Sequence, residues 1–576
     1  MVYNGYLGRT LSRREWLRYT GALGLLVAGG SLLAACETDD DDEPDDIEEP
    51  DDDDDVDPVD DPDDDDDEPA DDDVDEEPDA PDDERYGGDF VAAMETPPPT
   101  LDLMTSTTAA TREQAWFTIE SLLAVNEEFE PDTLLAESWE VSDDGLTYTF
   151  PLRQGVLFHN GDEMVADDVI ASMDRLLEVT NRPAAFAIIE DYTAEDDYTV
   201  SYTLREPSGA FIGVMAFPLG YAGVFPREVI DAVGSDELTA DDMVGTGPYK
   251  LVEWVPDQRL RYERFEDYEV VGTERDGLRG AKHPYFDTIT LEAVPETASR
   301  VAGLETAEYD YAQKPSTTDF EGLEANPDTE AQIYEYAFAY VFTFNHAWAP
   351  TDNLQFRQAI QAAIDVNTIG LNAANGMEEF FTTDHSIFFP PTPWHNDEGA
   401  DLYNQNDEDR ARELLEESGY DGEEVILLTN RNYDDMFSAI VTLEQQLESK
   451  LGMNVSVEVL DWPGQQARTE ETDGWNIAVT WFASPATFGP DGWAAFFTGD
   501  SLGHYANEEM DAIFDQLSTA ETLEERVELA ADMQRVFYET IPMLKLHNGF
   551  SMDGLRSNIR DFQIWYQARF WGVWRD

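Results

Sequence analysis

LAESWEVSDDGLTYTFPLRQGVLFHNG, residues 135–161, contains the pattern from which the fold class follows. Every second residue from Leu146 to Leu152 is apolar, and this alternation begins directly after the turn-forming residues Asp143-Asp144-Gly145. Period-two alternation that leaves a tight turn predicts a strand with one buried face. The stretch therefore predicts a half-buried strand near the start of a globular region.

Strand and helix patterns interleave on both sides of this stretch. Apolar residues follow helical spacing from Val169 to Leu177 and from Phe356 to Ile364, and they alternate again from Tyr198 to Leu204. Such interleaving indicates mixed α/β lobes, and the residues from about Arg85 onward exceed one usual core, so two lobes are expected. Further strands are predicted at residues 250–254, 259–265, 453–460 and 475–482, and further helices at residues 402–419 and 510–517 and after a capping box at residues 522–525.

The glycines of GTGPY, residues 245–249, suggest a loop that cradles phosphate. Pro248 lacks a backbone N–H to donate, no third glycine opens a helix, and no lysine follows at the P-loop position. We therefore predict a structural turn.

The chain is strongly acidic, with 127 acidic and 33 basic residues and a formal net charge of -94. Residues 85–576 alone carry about -63. This charge repels nucleic acid and anionic lipid surfaces, which excludes nucleic acid as a partner. Arginine exceeds lysine 28 to 5. Together with the acid excess, this indicates adaptation to molar salt, where the Debye length falls to about 3 Å.

An export signal is predicted over residues 1–35. The uncharged run from Gly21 to Ala35 is 15 residues long, shorter than a bilayer-spanning helix. SRREWLR, residues 12–18, resembles the twin-arginine export motif, and Leu33-Ala34-Ala35-Cys36 resembles a lipobox, whose cysteine takes lipid. Cys36 is the only cysteine, so the chain has no internal disulfide and no thiolate metal cluster.

A charged segment follows Cys36. Residues 37–84 contain 34 acidic residues and no base, so no apolar face can form there. Residues 36–84 are predicted to be a lipid-anchored, disordered acidic tether whose length reaches at most about 160 Å. They lack the spacing of a specific calcium loop.

Several blocks in a fixed order carry a family resemblance. From about Gly88 to its C-terminus, the chain resembles the family 5 solute-binding proteins, which are the peptide, oligopeptide and nickel receptors of ABC importers. The matching blocks are LAESW (135–139), DGLTYTF (144–150), LRQGVLFHNG (152–161), ADDV (166–169), GTGPYKL (245–251) with Trp254, FN (344–345), RQAI (357–360), AID (363–365) and residues 411–420.

The resemblance implies a two-lobed clamp like the type II periplasmic binding proteins, with mixed sheets and hinge strands. Lobe I would comprise residues 85–294 and 548–576, and lobe II residues 295–547. Such a protein holds its solute between the lobes and delivers it to membrane permease subunits. It is expected to be a monomer on the extracellular face of the membrane, with no cofactor and no catalysis of its own.

The resemblance also suggests where the solute binds. In peptide-binding members, a carboxylate three residues after a tryptophan of the second lobe holds the peptide's α-amino group. Here Ser484 stands at that position and the nearest downstream acid is Asp491, which weakens the case for a free amine because a buried ammonium needs an ionic partner. Flat sugar faces would also suit tryptophans, so a peptide-like solute and an oligosaccharide both stay open. The predicted ligand-binding residues are Thr105, Ser106, Thr107, Trp394, Trp481, Phe482, Ser484, Asp491 and Trp493.

A serine hydrolase is the competing hypothesis. GDSLG, residues 499–503, matches the Gly-x-Ser-x-Gly pattern around Ser501, and His547 lies downstream of several acids. A nucleophile elbow needs a strand before the serine and a helix directly after it, and neither pattern is present. The seven histidines show no pair at metal-ligand spacing, so no metal site is predicted, although nickel carried by a chelator stays open.

Overall fold

A computed structural model describes residues 84–106, 108–217, 222–483, 489–498, 501–520, 522–565 and 567–576. The predicted signal, Cys36 and all of the predicted tether except Glu84 lie outside these ranges, as do Thr107 and Ser484. No helix in the described ranges combines the length and the apolar character needed to cross a bilayer.

Strands and helices interleave along the described chain, as the sequence predicts. The strands are β1 (Asp89–Met94), β2 (Leu123–Val125), β3 (Pro131–Thr133), β4 (Glu140–Val141), β5 (Thr147–Pro151), β6 (Ile189–Asp196), β7 (Thr199–Leu204), β8 (Tyr249–Val255), β9 (Arg259–Arg264), β10 (Arg275–Asp276), β11 (Arg279–Gly280), β12 (Thr288–Ala293), β13 (Tyr311–Ala312), β14 (Thr329–Phe344), β15 (Phe381–Thr382), β16 (Glu424–Asn430), β17 (Asn454–Leu460), β18 (Ile477–Ala483), β19 (Met543–Arg556), β20 (Ile559–Arg560) and β21 (Trp574–Arg575). The helices are α1 (Ala109–Ala115), α2 (Ala166–Val179), α3 (Pro183–Phe186), α4 (Phe211–Ala216), α5 (Arg227–Val233), α6 (Thr297–Glu305), α7 (Phe320–Ala325), α8 (Leu354–Ala363), α9 (Val366–Ala373), α10 (Glu408–Ser418), α11 (Asp434–Leu451), α12 (Trp462–Thr469), α13 (Ala494–Phe497), α14 (Glu508–Leu517) and α15 (Leu523–Thr540).

One large mixed sheet runs through the molecule, in the order β17-β16-β18-β14-β19-β13-β1-β12-β9-β8. At one end β1 is parallel to β12 and β13, and at the other β16 is parallel to β17 and β18. The long antiparallel pair of β14 and β19 joins the two halves, with partners from Thr329 and Arg556 to Thr343 and Met543. A register shift between Tyr334 and Phe338 interrupts this pair. The sheet thus consists of two α/β halves joined by two long strands.

Each half of the sheet has its own hydrophobic core. The first core contains Phe90 and Trp116, together with the C-terminal residues Phe570 and Trp571. In the second half, one cluster packs α8 and α11 against the sheet, and another surrounds Phe537 of α15. The C-terminal segment therefore packs with the N-terminal half of the globular region.

The predicted strand from Leu146 to Leu152 is confirmed as β5, in which Tyr148 and Phe150 are buried. The prediction of a helix from residue 402 is wrong at its start, because α10 begins at Glu408. Asn404 and Asn406 have φ values of 49° and 48°, in the left-handed region, which helical residues do not adopt. The side chain of Asp407 then caps the helix by accepting a hydrogen bond from the Arg410 N–H.

The capping box at residues 522–525 is also confirmed. The Glu525 N–H donates to Thr522 Oγ1 over 3.2 Å, and the Thr522 N–H donates to Glu525 Oε2 over 3.3 Å. Two of the N–H groups that a helix start leaves without partners are therefore satisfied, and α15 begins where the sequence predicts.

Candidate functional site

The carboxyl ends of the parallel strands in the two halves face each other. β13 is antiparallel to β19, which is antiparallel to β14, so β13 and its parallel neighbour β1 point along β14 toward the second half. β18 is antiparallel to β14, and β16 is parallel to β18, so both point back toward the first half. Ligands of open α/β sheets bind outside the carboxyl ends of the strands. The space between these two edges is therefore the candidate solute cleft.

On the first edge, the loop after β1 is fixed by a buried ion pair. Asp102 and Arg175 are 0% and 2% exposed, and Arg175 Nη2 lies 2.5 Å from Asp102 Oδ2. Asp102 Oδ1 also accepts the Met104 N–H over 3.1 Å. The Thr105 hydroxyl donates to the Asp102 carbonyl over 3.2 Å, and Ser106 Oγ lies 3.1 Å from Thr108 Oγ1. The predicted ligand contacts Thr105 and Ser106 are therefore half-buried on a loop with a rigid anchor.

Glu113 of α1 lies beside this loop and is 8% exposed. Its two carboxylate oxygens accept hydrogen bonds from the Gln313 amide over 3.3 and 3.2 Å. Burial raises the pKa of Glu113 to about 7, and the nearby Asp553 carboxylate adds to the rise, whereas Lys314, Gln313 and Arg112 oppose it. The first edge thus holds a buried carboxylate whose pKa lies well above that of a free glutamate.

Four half-buried aromatic side chains lie on the second edge. They come from β14, the segment after β16, the start of α12 and the end of β18, and they are Phe338, Tyr433, Trp462 and Trp481. The Phe338 and Trp481 ring centroids lie 4.6 Å apart, and Tyr433 meets Trp462 and Trp481 edge to face at 5.4 and 6.0 Å. We call these four residues the aromatic wall. Only Trp481 is predicted from the sequence, but Trp462 follows a predicted strand, which is the signal that could have identified it.

A carboxylate adjoins the aromatic wall at the first turn of α11. Asp435 accepts a short hydrogen bond from the Tyr340 hydroxyl and another from the Met436 N–H over 2.7 Å. Burial raises the pKa of Asp435, whereas these hydrogen bonds lower it. The start of a helix also favours a negative charge, but burial outweighs these effects and the pKa of Asp435 stays above its usual value.

The structure does not bring Phe482 and Trp493 to the aromatic wall. Successive side chains of a strand point to opposite faces, so Phe482 lies on the other face of β18 from Trp481. There Phe482 packs on Phe496 at 4.4 Å and on Trp493 at 5.4 Å. Trp493 is 2% exposed and stacks on Phe497 at 5.3 Å, inside a core cluster. These two predicted ligand contacts thus belong to a separate aromatic group.

Trp394 and Asp491 lie near that second group. The half-buried Trp394 ring packs against the cluster, with the Arg526 guanidinium 5.9 Å from its centroid. The Asp491 carboxylate forms a short ion pair with Arg526. Asp491 therefore already has a cationic partner within the protein.

The local structure at Ser501 does not match a nucleophile elbow. The nearest regular element before the serine is the helix α13, a short 3-10 turn follows it, and α14 begins only at Glu508. The Ser501 hydroxyl donates to the Tyr505 carbonyl over 2.6 Å. His547 is buried in β19, where its ring stacks on Tyr340 at 4.4 Å and burial lowers its pKa to about 3. The described residues on either side of Ser501 do not form the strand-turn-helix context that the hydrolase hypothesis requires.

Two histidines meet around one carboxylate. His395 Nε2 lies 3.0 Å from Asp384 Oδ2, and this hydrogen bond raises the pKa of His395. His385 lies nearby, with its ring centroid 5.9 Å from that of His395. Even so, the described part of the chain contains no group of three or more histidine, cysteine or acidic side chains placed to hold a metal ion.

Comparison with known proteins identifies relatives along most of the globular region. A probable peptide ABC transporter periplasmic-binding protein of Sinorhizobium fredii is 28% identical over 470 residues, covering 77% of this chain and 86% of the relative. Heme-binding protein A of Haemophilus influenzae is 25% identical, covering 76% and 83%. The dipeptide-binding protein of Escherichia coli is 24% identical, covering 75% and 83%.

Solved structures share the fold. HbpA2 from Haemophilus parasuis superposes with a TM-score of 0.71 at 21% identity, covering 85% of this chain and 100% of that one. DppA from Helicobacter pylori, in complex with the peptide STSA, superposes with a TM-score of 0.64 at 22% identity, covering 86% and 99%. These neighbours are periplasmic binding proteins, so the predicted type II clamp fold is confirmed. The profile of the bacterial extracellular solute-binding proteins, family 5, middle region, matches residues 130–503, and the chain therefore belongs to this family.

Proposed function

We propose that this chain is the extracellular substrate-binding component of an ABC importer and that it captures a peptide-like solute between its lobes. The observation that carries the proposal is the aromatic wall on one carboxyl edge, opposite the anchored loop of Thr105 and Ser106 on the other. Relatives named for peptides and dipeptides support the peptide-like class. The protein acts as a monomer, without catalysis, and passes its solute unchanged to permease subunits.

The lobes open and close about β14 and β19. The proposed lobe I comprises residues 85–294 and 548–576, and lobe II residues 295–547, with β13 of lobe II pairing with β1 in the first half of the sheet. Two contacts between the lobes support a closed arrangement: the Gly209 N–H donates to the Ala520 carbonyl over 3.0 Å, and Phe129 packs against the cluster of Ala339 and Phe389. A solute that touches both edges favours this closed form by its differential affinity for it.

Replacing Trp481 with alanine should weaken solute binding. Trp481 joins Phe338 to Tyr433 in the aromatic wall, so its removal takes away one ring and the support of the other two. Truncating a central tryptophan of a binding surface typically costs about 2 kcal/mol or more, which is roughly a thirtyfold rise in Kd. Calorimetric titration of the purified protein with a panel of dipeptides, tripeptides and oligosaccharides measures this change.

Trp348→Ala is the matched control, because Trp348 is 41% exposed and belongs to neither edge of the cleft. We expect its Kd to equal that of the wild type. If the protein binds oligosaccharides but no peptides, its solute class is oligosaccharide and not peptide-like. Equal affinities of Trp481→Ala and wild type for every bound solute would contradict the role of the aromatic wall.

The N-terminal region is the basis for the proposed location of the protein at the cell surface. Cys36 attaches the protein by lipid after export by the twin-arginine route, and the acidic segment 36–84 tethers the lobes to the extracellular face of the membrane. The net charge of about -63 on residues 85–576 suits a medium of molar salt. An extended tether lets the lobes reach solute while staying close to the permease.

Cys36→Ala should release a folded protein into the medium, because stable anchoring needs lipid chains that only this cysteine can carry. Fractionation of the producing cells, with antibody detection in medium and membrane, measures the release. The released variant should bind solute with the affinity of the wild type. Retention of Cys36→Ala on the cell in the absence of its permease would show that lipid on Cys36 is not the anchor.

A further inference from the structure

A peptide-like solute carries a primary ammonium group, and the acid that binds it in peptide-binding members of the family has no counterpart at the matching position of the second lobe. Ser484 replaces the acid at the position where peptide-binding members of the family have one. Asp491 forms an ion pair with Arg526, and Asp435 accepts hydrogen bonds from Tyr340 and Met436 at a helix start. A buried ammonium needs an ionic partner, and a carboxylate on the first edge is an alternative to Asp435.

Glu113 on the first edge has unused capacity to accept hydrogen bonds. An ionised carboxylate can accept about four, and among the described residues Glu113 accepts hydrogen bonds from the Gln313 amide alone. Gln313 is itself held in place, because its side-chain oxygen accepts the Glu95 N–H over 3.0 Å. Among the residues that the structure describes, no lysine, arginine or histidine lies within ion-pair distance of Glu113.

The charged groups around Glu113 leave its charge uncompensated. Lys314, at the end of β13, and Arg112, on the same helix, favour the ionised form, whereas Asp553 of β19 opposes it. Lys314 is directed to Glu95, 3.4 Å away at the surface. Burial outweighs these effects and raises the pKa of Glu113 to about 7. A cation placed against this carboxylate would restore the ionised form.

Glu113 also borders a cavity with mostly apolar walls. Met94, Pro97, Ala110 and Leu291 line it at the carboxyl ends of β1 and β12, and Asp257 and Arg259 line it at the turn between β8 and β9. Gln114 borders it too, but its amide donates to the Leu101 carbonyl and its oxygen accepts from the Tyr262 hydroxyl. Arg259 is paired with Glu253, so the apolar walls beside Glu113 still suit an ammonium group on an aliphatic carbon, since the walls contact the carbon and the carboxylate binds the charge.

We propose that Glu113 on the first lobe binds the primary ammonium group of the solute and so replaces the missing carboxylate of the second lobe. This inference rests on the proposed function, and it narrows the solute class to peptide-like molecules with a primary amine. The amine is either the α-amino group of a free peptide or the side-chain amine of a lysine-like residue.

Glu113→Gln tests the proposal, because it keeps the shape of the side chain and removes the charge. Calorimetric titration should use three probes: a dialanine peptide, its N-acetylated form, and an N-acetylated dipeptide that contains lysine. Two of these probes carry a primary amine, dialanine and the lysine dipeptide. The variant should bind whichever of them the wild type binds through its amine roughly tenfold to a hundredfold more weakly than the wild type does. A loss confined to dialanine identifies the α-amine as the bound group, and a loss confined to the lysine probe identifies the side chain.

The pH dependence gives a second readout. Only the ionised carboxylate attracts an ammonium, so wild-type affinity for the amine-bearing probe should rise from pH 5.5 to about pH 7 and then level off. Glu113→Gln should lose this rise. Glu95→Gln is the matched control, because this carboxylate lies at the same edge but is exposed, and it should keep both the affinity and the rise.

Several outcomes would overturn the inference while the proposed function stands. One is equal affinity of Glu113→Gln and wild type for every amine-bearing probe. Another is an equal loss for amine-bearing and for fully blocked peptides. If the wild type binds no peptide of any kind, the proposed function fails as well, and this result is distinguishable because it does not depend on Glu113.

Discussion

Replacing Gly245 with alanine is expected to destabilise the first lobe by about 3 kcal/mol or more. A Cβ at this position would lie 2.1 Å from the Thr118 carbonyl oxygen and 2.9 Å from its carbon. Thr118 cannot move aside easily, because the Gly247 N–H donates to its carbonyl and the Tyr249 N–H donates to the Phe117 carbonyl, each over 2.9 Å. The midpoint of urea unfolding, followed by circular dichroism, measures the loss.

Gly322→Ala is the matched control for this prediction. Gly322 lies in helix α7, and a Cβ there meets no atom within 4 Å. Alanine is favoured over glycine in a helix by roughly 0.5–1 kcal/mol, so this variant should be more stable than the wild type. A Gly245→Ala protein that unfolded within about 0.5 kcal/mol of the wild type would contradict the clash at Thr118.

The turn at residues 245–249 shows how far a sequence reading can reach. The missing third glycine and lysine exclude a phosphate loop from local pattern alone, and the structure agrees that this segment is a structural turn. The reason for Gly245 is its close approach to Thr118, a residue 127 positions earlier. No local pattern encodes such a contact, because it arises only when two distant segments pack together.

The candidate site, too, is only partly predictable from the sequence. Period-two and helical spacing identify β5, β7, α2 and α8 because each pattern reports a single element and its buried face. The aromatic wall combines residues from four separate elements, so the sequence alone gives only Trp481, through family resemblance. Glu113 carries no sequence signal, because its burial and its hydrogen bonds with Gln313 are properties of the assembled lobe.

Replacing Asp102 with asparagine is expected to cost about 3–5 kcal/mol and to weaken solute binding as well. The substitution keeps the shape of the side chain but leaves the Arg175 guanidinium buried without a counterion. Asp102 also anchors the loop of Thr105 and Ser106, so a displaced Asp102 would move two proposed solute contacts. Urea unfolding measures the first effect, and titration with a bound peptide measures the second.

The response of stability to salt distinguishes this buried ion pair from a surface ion pair. Surface ion pairs contribute about 0–1 kcal/mol and are screened in molar salt, whereas buried pairs are screened much less. Glu95 pairs with Lys314 at the surface, so Glu95→Gln should change stability little at low salt and less at high salt. The cost of Asp102→Asn should be nearly the same in both media, because Asp102 and Arg175 are 0% and 2% exposed. A cost that disappeared in molar salt would mean that water and ions reach this pair, and the loop would then lack the rigid anchor on which the candidate site depends.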